Sequence, residues 1–406
     1  MRDYEPLRII AVRRETPAAV AITLEVPPAL REAFRFRPGQ HLPVRATIDG
    51  VEERRTYSIC SCPTEPALRI AIKRVAGGQF SNWANDSLTA GDMLQAMPPA
   101  GRFVLPEGDG GPRHVVAFAA GAGITPIRAM IGHALAEEPA TSVTLVYGNR
   151  NPDSIMFRQE LEDLKDRHLG RFTLLNVLAH NEETSAPLLE GRITAGKVEA
   201  LAASLFAPGR IAHVFLCGPG SMIKDVRNAL FAVGVPRERV HHEFFAPGGG
   251  AYRGKPASPS PRLPSGSPRA RPAHIMPEGL RGEGRGEEQQ QASEQAAAPH
   301  PNPLPTEEWG EGTQATEAIA ILDGIRHRFT VPPGGHVVDA ALAAGIRVPY
   351  SCKGGMCCTC RARLVEGEAE MTTNYSLEPW EIERGFILTC QAVPKSERLV
   401  VDYDQM

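Results

Sequence analysis

The sequence predicts a multidomain chain: an antiparallel β-barrel, an α/β unit on a parallel sheet, a disordered linker, and a small α+β unit. Three observations predict it. Short apolar or alternating runs, punctuated by Pro and Gly, fill residues 1–108. Longer apolar runs alternate with helix-period stretches over 109–247. Residues 248–315 are then dominated by Pro, Ser, Gly, Arg, Gln and Glu before patterned sequence resumes over 316–406.

In the first segment RIIAVRRE, AVAITLEV, HLPVRATI, RTYSICS and LRIAIKRV read as strands, and their short spacing suggests an antiparallel barrel. In the second, HVVAFAA, SVTLVYG, FTLLNVLA and HVFLCG read as strands between helical stretches such as PIRAMIGHALAE and SMIKDVRNALFAVG. That alternation predicts a parallel sheet with covering helices. The third segment (KPASPSPRLPSGSPRARPAHIMPEGL and beyond) cannot bury enough apolar surface to offset its chain entropy, so a flexible linker is expected. In the fourth, AIAILDGIRHRFTVPP reads as a hairpin and VVDAALAAG as a short helix ending at Gly345.

Composition narrows the function classes. The 406 residues carry 44 Lys and Arg against 47 Asp and Glu, with no basic block, so no nucleic-acid partner is expected. No window of about 18 apolar residues exists, so no membrane span is expected. The N-terminal MRDYEPLRII lacks the apolar stretch of a signal peptide. Of eight cysteines, four form one spaced set, which argues against a disulfide framework and for a cytoplasmic compartment.

That set is Cys352, Cys357 and Cys360, spaced C-x₄-C-x₂-C, with Cys390 about 29 residues on. This is plant-type [2Fe–2S] spacing, in which four thiolates hold two irons. Gly354 and Gly355 in SCKGGMCCTC allow close backbone approach, and amides can then point at the sulfurs. A structural zinc site is the competing reading, but zinc sites usually pair two CxxC knuckles and one is present here. Cys358 reads as a spare small residue.

Two further motifs suit a flavin. Arg55, Thr56, Tyr57 and Ser58 close a strand and offer a donor fork, hydroxyls and an aromatic face. GGQFSNW follows, where Gly78 frees the backbone and the amides near Phe80, Ser81 and Asn82 could cradle phosphate, especially if Ser81 opens a helix. GAGITP, Gly121 to Pro126, follows an apolar strand and precedes a helix, the context of a dinucleotide site. It holds Gly123, Ile124 and Thr125; Thr125 could cap the helix and Pro126 suits its first turn. Cys217, Gly218 and Pro219 end another strand, with Met222 in the next helix, and strand C-termini line the ligand crevice of such sheets.

RTYS, GGQFS, GAGITP, YGNR and CGPGSM, in this order, resemble the ferredoxin–NADP⁺ reductase superfamily, and the cysteine loop resembles plant-type ferredoxins. YSCKGGMCCTCRARLVEGEAEM and NYSLEPWEIERGFILTCQ are similar to the reductase subunits of phenylacetyl-CoA epoxidases. The resemblance implies an FAD barrel over 1–108, an NAD(P) domain over 109–247, the linker over 248–315 and a β-grasp ferredoxin domain over 316–406. It implies FAD on Arg55, Thr56, Tyr57, Ser58, Ile72, Lys73, Gly78, Phe80, Ser81 and Asn82. NADPH or NADH would lie on Gly121 to Pro126, Gly148, Asn149, Arg150, Gly218, Pro219 and Met222. HHEFF matches the superfamily's closing H-x-E-x-F, implying Glu243 and Phe245 at the flavin with Cys217 at the nicotinamide.

Where relatives that use NADP⁺ commonly carry Ser-Arg for the 2′-phosphate, this chain has Ala179-His180, a weaker and pH-dependent anion partner. The implied activity is electron transfer from NAD(P)H through FAD and the cluster to a di-iron oxygenase acting on phenylacetyl-CoA, a substrate this chain need not bind. Two alternatives stand beside it: reduction of a ring-hydroxylating oxygenase, with FMN, and a non-enzymatic redox sensor.

Overall fold

The computed structural model describes residues 4–180, 186–245 and 315–405. Its first sheet holds β1 (Glu5–Thr16), β2 (Ala19–Glu25), β3 (His41–Ile48), β4 (Val51–Ser58), β5 (Leu68–Lys73) and β6 (Met93–Ala96), with helix α1 (Gln79–Asp86) after β5. The strand order is β4-β3-β6-β1-β2-β5, antiparallel throughout. A bridge from Ile59 to Ile70 joins the two ends and closes the barrel. Alternate residues point inward, so Leu7, Ile9, Ile22, Leu42, Val44 and Ile70 fill its core. The five expected strands are present; β6, unforeseen, enters at the centre of the sheet.

The second unit runs β7 (Arg113–Ala120), α2 (Ile124–Glu137), β8 (Thr141–Asn149), α3 (Arg158–Arg167), β9 (Phe172–Leu178), α4 (Ala195–Ser204), β10 (Ile211–Gly218), α5 (Gly220–Ala232) and β11 (Val240–Phe244). All five strands are parallel, ordered β11-β10-β7-β8-β9. The order reverses between β7 and β10, which puts the ligand crevice at the C-termini of those two strands. Apolar clusters cover both sheet faces.

The two units share a core, in which Ala19, Ala21, Cys60 and Ala71 of the barrel meet Phe103, Ile127 and Met130. A charged seam reinforces it. Glu160 takes two hydrogen bonds from Arg69, at 2.7 and 2.9 Å, and pairs with Arg128 at 2.8 Å. Burial pushes the Glu160 carboxyl up, but Arg69, Arg128 and Arg13 outweigh it and hold it at about 2.

The C-terminal unit runs β12 (Thr316–Leu322), β13 (Ile325–Val331), α6 (Val337–Ala343), β14 (Arg361–Glu366), β15 (Ala369–Met371), α7 (Pro379–Glu383), β16 (Phe386–Leu388), β17 (Ala392–Pro394) and β18 (Arg398–Asp402). Its main sheet is ordered β13-β12-β18-β14-β16, with β12 and β18 parallel and the other pairs antiparallel. The expected hairpin turns at Asp323-Gly324, both at positive φ, and Gly345 at φ +77° follows α6. The expected linker, apart from Ala315, lies outside the described residues. Among the described residues no helix is long and apolar enough to cross a membrane.

Candidate functional site

The nucleotide crevice depends on a close approach of two turns. A short 3₁₀ turn, Gly121–Gly123, leads from β7 into α2. Gly121 stands at φ +53° and Gly218, at the end of β10, at φ +153°. Gly218 faces Ala120 and Met222, which a Cβ would approach to 3.2 and 3.0 Å. α2 opens at Ile124, and no side chain caps it. Thr125 does not cap; its hydroxyl donates to the Ala122 carbonyl at 2.9 Å, while Pro126 lies in the first turn as expected. The free N-terminal amides suit an anion. Tyr147, fully buried just before Gly148, donates its hydroxyl to the Gly121 carbonyl at 3.0 Å and braces the turn.

Two cations face this turn. Lys73 comes within 3.2 Å of where a Gly121 Cβ would be. Burial, then the charge of Arg150, hold the Lys73 ammonium below its usual range. Ala179 and His180 donate backbone N–H to the carbonyls of Asn149 and Arg150 at 2.9 and 2.8 Å, so His180 lies beside exposed Arg150.

The expected flavin residues divide by strand face. Along β4, Arg55 and Tyr57 point one way, and Arg54, Thr56 and Ser58 the other. Tyr57 packs on the barrel core with its ring 5.7 Å from Phe80, which is itself buried in that core, as is Ile72. Phe80 and Ile72 therefore have only backbone to offer a cofactor. Arg55 is held at 2.7 Å by Glu53. α1 begins at Gln79, capped by Gly78 without a side-chain bond, and not at Ser81. The Ser81 hydroxyl is spent inside the loop, accepting from the Val75 N–H at 3.1 Å and lying 3.3 Å from the Gly78 carbonyl. Asn82 accepts from Arg74 at 3.3 Å. What remains for a pyrophosphate is the helix start itself, whose amides no side chain caps, and this fits that group.

At the β10 terminus the parallel register pairs Cys217 with Glu243 on β11. Cys217 is fully buried; burial first, and then the Glu243 charge, raise its thiol well above the usual range, so it stays protonated. The Ser58 hydroxyl donates to Glu243 at 3.3 Å, and buried His41 lies 3.7 Å from the same carboxylate. Phe245 packs against the core of the α/β unit. Its neighbour Phe244 turns outward to Tyr375 of the C-terminal unit, ring centroids 5.6 Å apart.

In the cysteine loop the four thiols fall into two pairs. Cys352 interacts most strongly with Cys357, and Cys360 with Cys390. Two thiols for each of two metals is the arrangement a [2Fe–2S] cluster takes, so the residues fit it. Cys352 is held below the usual thiol range by Cys357 and, against burial, by the amides of Gly354, Met356 and Cys357. Gly355, at φ +73°, is the glycine the loop requires: a Cβ would come within 2.9 Å of the Thr373 carbonyl. Gln391 ties the loop by donating to the Lys353 carbonyl at 2.8 Å. Cys358 joins neither pair. It stands at φ +53°, with its sulfur toward the Ser376 carbonyl at 3.7 Å.

This loop faces the flavin side. Arg54 lies over the Tyr350 ring at 4.4 Å, and the hydroxyls of Thr56 and Ser351 hydrogen-bond, one residue before Cys352. Arg102 pairs with Glu381. A cavity of about 50 Å³ between the units has His41 and Glu243 on one side and Cys357 and Cys358 on the other. Sequence reasoning missed His41, Arg54, Arg102, Tyr147, Tyr350 and Tyr375. Tyr147 precedes a glycine at a strand end, a usable signal; the others carry no local one.

Family models match in three places: an oxidoreductase FAD-binding domain over residues 12–105, an oxidoreductase NAD-binding domain over 118–228 and a 2Fe-2S iron-sulfur cluster binding domain over 320–395. A subunit of the 1,2-phenylacetyl-CoA epoxidase of Escherichia coli K12 is 36% identical over 407 residues, covering 100% of this chain and 99% of that protein. The ferredoxin reductase component of the 3-ketosteroid-9-alpha-monooxygenase of Rhodococcus rhodochrous is 33% identical, covering 98% and 96%. Among solved structures, phthalate dioxygenase reductase aligns over 98% of both chains with a TM-score of 0.55 and 22% identity, a likeness of fold. This chain belongs to the ferredoxin–NADP⁺ reductase superfamily, in the branch fused to a plant-type [2Fe–2S] ferredoxin that supplies electrons to multicomponent oxygenases.

Proposed function

We propose that this chain carries electrons from NADPH or NADH to the di-iron oxygenase of a phenylacetyl-CoA epoxidase. The observation that carries this reading is the full-length similarity to one subunit of such an epoxidase, which takes in the segments around the cysteines. When bound, the flavin takes electrons in pairs from the nicotinamide and releases them singly, and the cluster carries one at a time.

The chain's own residues serve this in three places, with units at 1–108, 109–247 and 316–406. Gly121, Gly123, Ile124, Thr125 and Pro126 present backbone to the nucleotide, and Gly148, Asn149, Arg150, Gly218, Pro219 and Met222 border it. Lys73 and Arg150 supply positive charge. Arg55, Tyr57, Ser58 and the start of α1 hold the flavin. Cys217 and Glu243 set a neutral thiol beside a carboxylate where the nicotinamide and flavin must meet. Cys352, Cys357, Cys360 and Cys390 hold the cluster.

The test mixes the purified protein, NADPH and phenylacetyl-CoA with the oxygenase subunits of an epoxidase. Epoxide formation dependent on this chain supports the reading. Turnover with a 3-ketosteroid oxygenase component, and none with the epoxidase subunits, would overturn it.

A further inference from the structure

We propose that Arg102 is a positioning residue for the electron step between the flavin unit and the cluster unit. The proposal rests on electron exchange between those units, and not on the identity of the oxygenase.

The loop that carries Arg102 is rigid. His41 and Ala100 exchange two backbone hydrogen bonds of 2.9 Å. Gly101, at φ +106°, then lies on the His41 imidazole, where a Cβ would come within 2.8 Å of the ring. Arg102 therefore leaves a fixed point beside the Glu243 pocket.

Its guanidinium makes three contacts across the junction. One nitrogen donates to Glu381. The other donates to the Ser376 carbonyl at 3.2 Å and lies 3.6 Å from the Cys358 sulfur. These partners come from two segments of the C-terminal unit, and Cys358 is adjacent to Cys357. A planar fork that meets two segments fixes orientation as well as distance, which a point charge would not.

The C-terminal unit does not need Arg102 for its own charge balance. Glu381 is fully buried, but Arg361 pairs with it at 3.0 Å and its second oxygen accepts the Glu378 N–H at 3.0 Å. Arg361 is in turn seated on the Phe386 ring at 3.6 Å. Arg102 is thus a second cation on a carboxylate already matched, so its attraction is available for docking. It is 41% exposed, which keeps the contact reversible. In the step itself the reduced flavin loses one electron and the oxidised cluster gains one; no bond forms or breaks. A fixed positive charge next to the cluster loop favours the electron's arrival there.

The test uses the full chain loaded with FAD and cluster, in Arg102→Gln and Arg102→Lys forms. Rapid mixing with NADPH follows flavin bleaching, and freeze-quenched EPR follows cluster reduction. In Arg102→Gln, cluster reduction is expected to slow by about tenfold to a hundredfold, the cost of a small misplacement. Flavin bleaching stays unchanged, and the cluster's midpoint potential moves negative. Arg102→Lys keeps the charge and recovers part of the rate. Cluster reduction unchanged in Arg102→Gln would overturn the proposal, as would flavin bleaching slowed to the same degree. No oxygenase is present, so these outcomes are independent of the epoxidase reading.

Discussion

Gly123 lies directly over the carbonyl of Cys217: a Cβ added to it would come within 2.2 Å of that oxygen. The contact brings the turn after β7 onto the end of β10. The nucleotide turn and the thiol expected to face the nicotinamide are therefore one packed object.

Replacing Gly123 with Ala must push these two turns apart. Overpacking of this kind costs about 1–3 kcal/mol. The expected outcome is a lowered Tm together with a raised KM for NADPH, while the [2Fe–2S] spectrum is unchanged. Calorimetry and steady-state ferricyanide reduction check both.

The thiol pairing separates ligands from a bystander. Cys390→Ala should abolish the [2Fe–2S] absorption and EPR signals but leave NADPH-dependent flavin reduction intact. Cys358→Ala should keep the cluster, since its sulfur points to the Ser376 carbonyl and Arg102. Visible absorption, EPR and flavin bleaching on the two proteins decide it.

Nucleotide choice should be shallow. His180 replaces the arginine that NADP⁺-using relatives commonly offer, and a charge-assisted contact is worth roughly 1.5–3 kcal/mol. Arg150, whose carbonyl accepts the His180 N–H, is an exposed cation beside that position. Arg150→Ala should lower kcat/KM for NADPH by about tenfold or more and change the value for NADH less. Kinetics with both nucleotides test this.

Acid should destabilise the protein near β11. Burial first, then neighbouring charge, hold His241 and His242 at about 4. Unfolded histidine titrates near about 6.5, so between those values the unfolded chain binds more protons. Stability is therefore full above about pH 6.5 and falls as pH drops toward 4, by on the order of 1–3 kcal/mol per histidine. Urea midpoints from pH 7 to 5 should decline, and His241→Asn should flatten the decline.

Residues with special backbone geometry, and the presence of a 2Fe-2S domain, were legible from the sequence. Cysteine spacing and the glycines of GAGITP and CGPGSM are local signatures, and the apolar runs give β7 to β10 because buried parallel strands are near-continuously hydrophobic. β6 was not legible: four residues, Met93–Ala96, have too little alternation to show a period. A helix start near Ser81 could be read from the sequence only as a condition; the helix begins two residues earlier, where Gly78 is the N-cap and leaves the amides without a side-chain partner. Arg102 and Glu381 stand 279 residues apart in sequence. Neither has a neighbour that announces the other, since their pairing arises only when two separately built units meet.

The two-sided use of β4 has a consequence for how this machine can be altered. The hairpin of β3 and β4 turns on two residues, Asp49 and Gly50, both at positive φ, with Ile48 opposite Val51. Such a turn sets the pairing register, and a slip of one residue exchanges the faces of a strand. An insertion that shifted the β3–β4 register by one residue would turn the Tyr57 side toward the cluster unit and the Thr56 side toward the barrel core. Substitutions can tune either face alone, but a change of register at this tip cannot, so the Asp49-Gly50 dipeptide governs the core-facing and cluster-facing sides of β4 together.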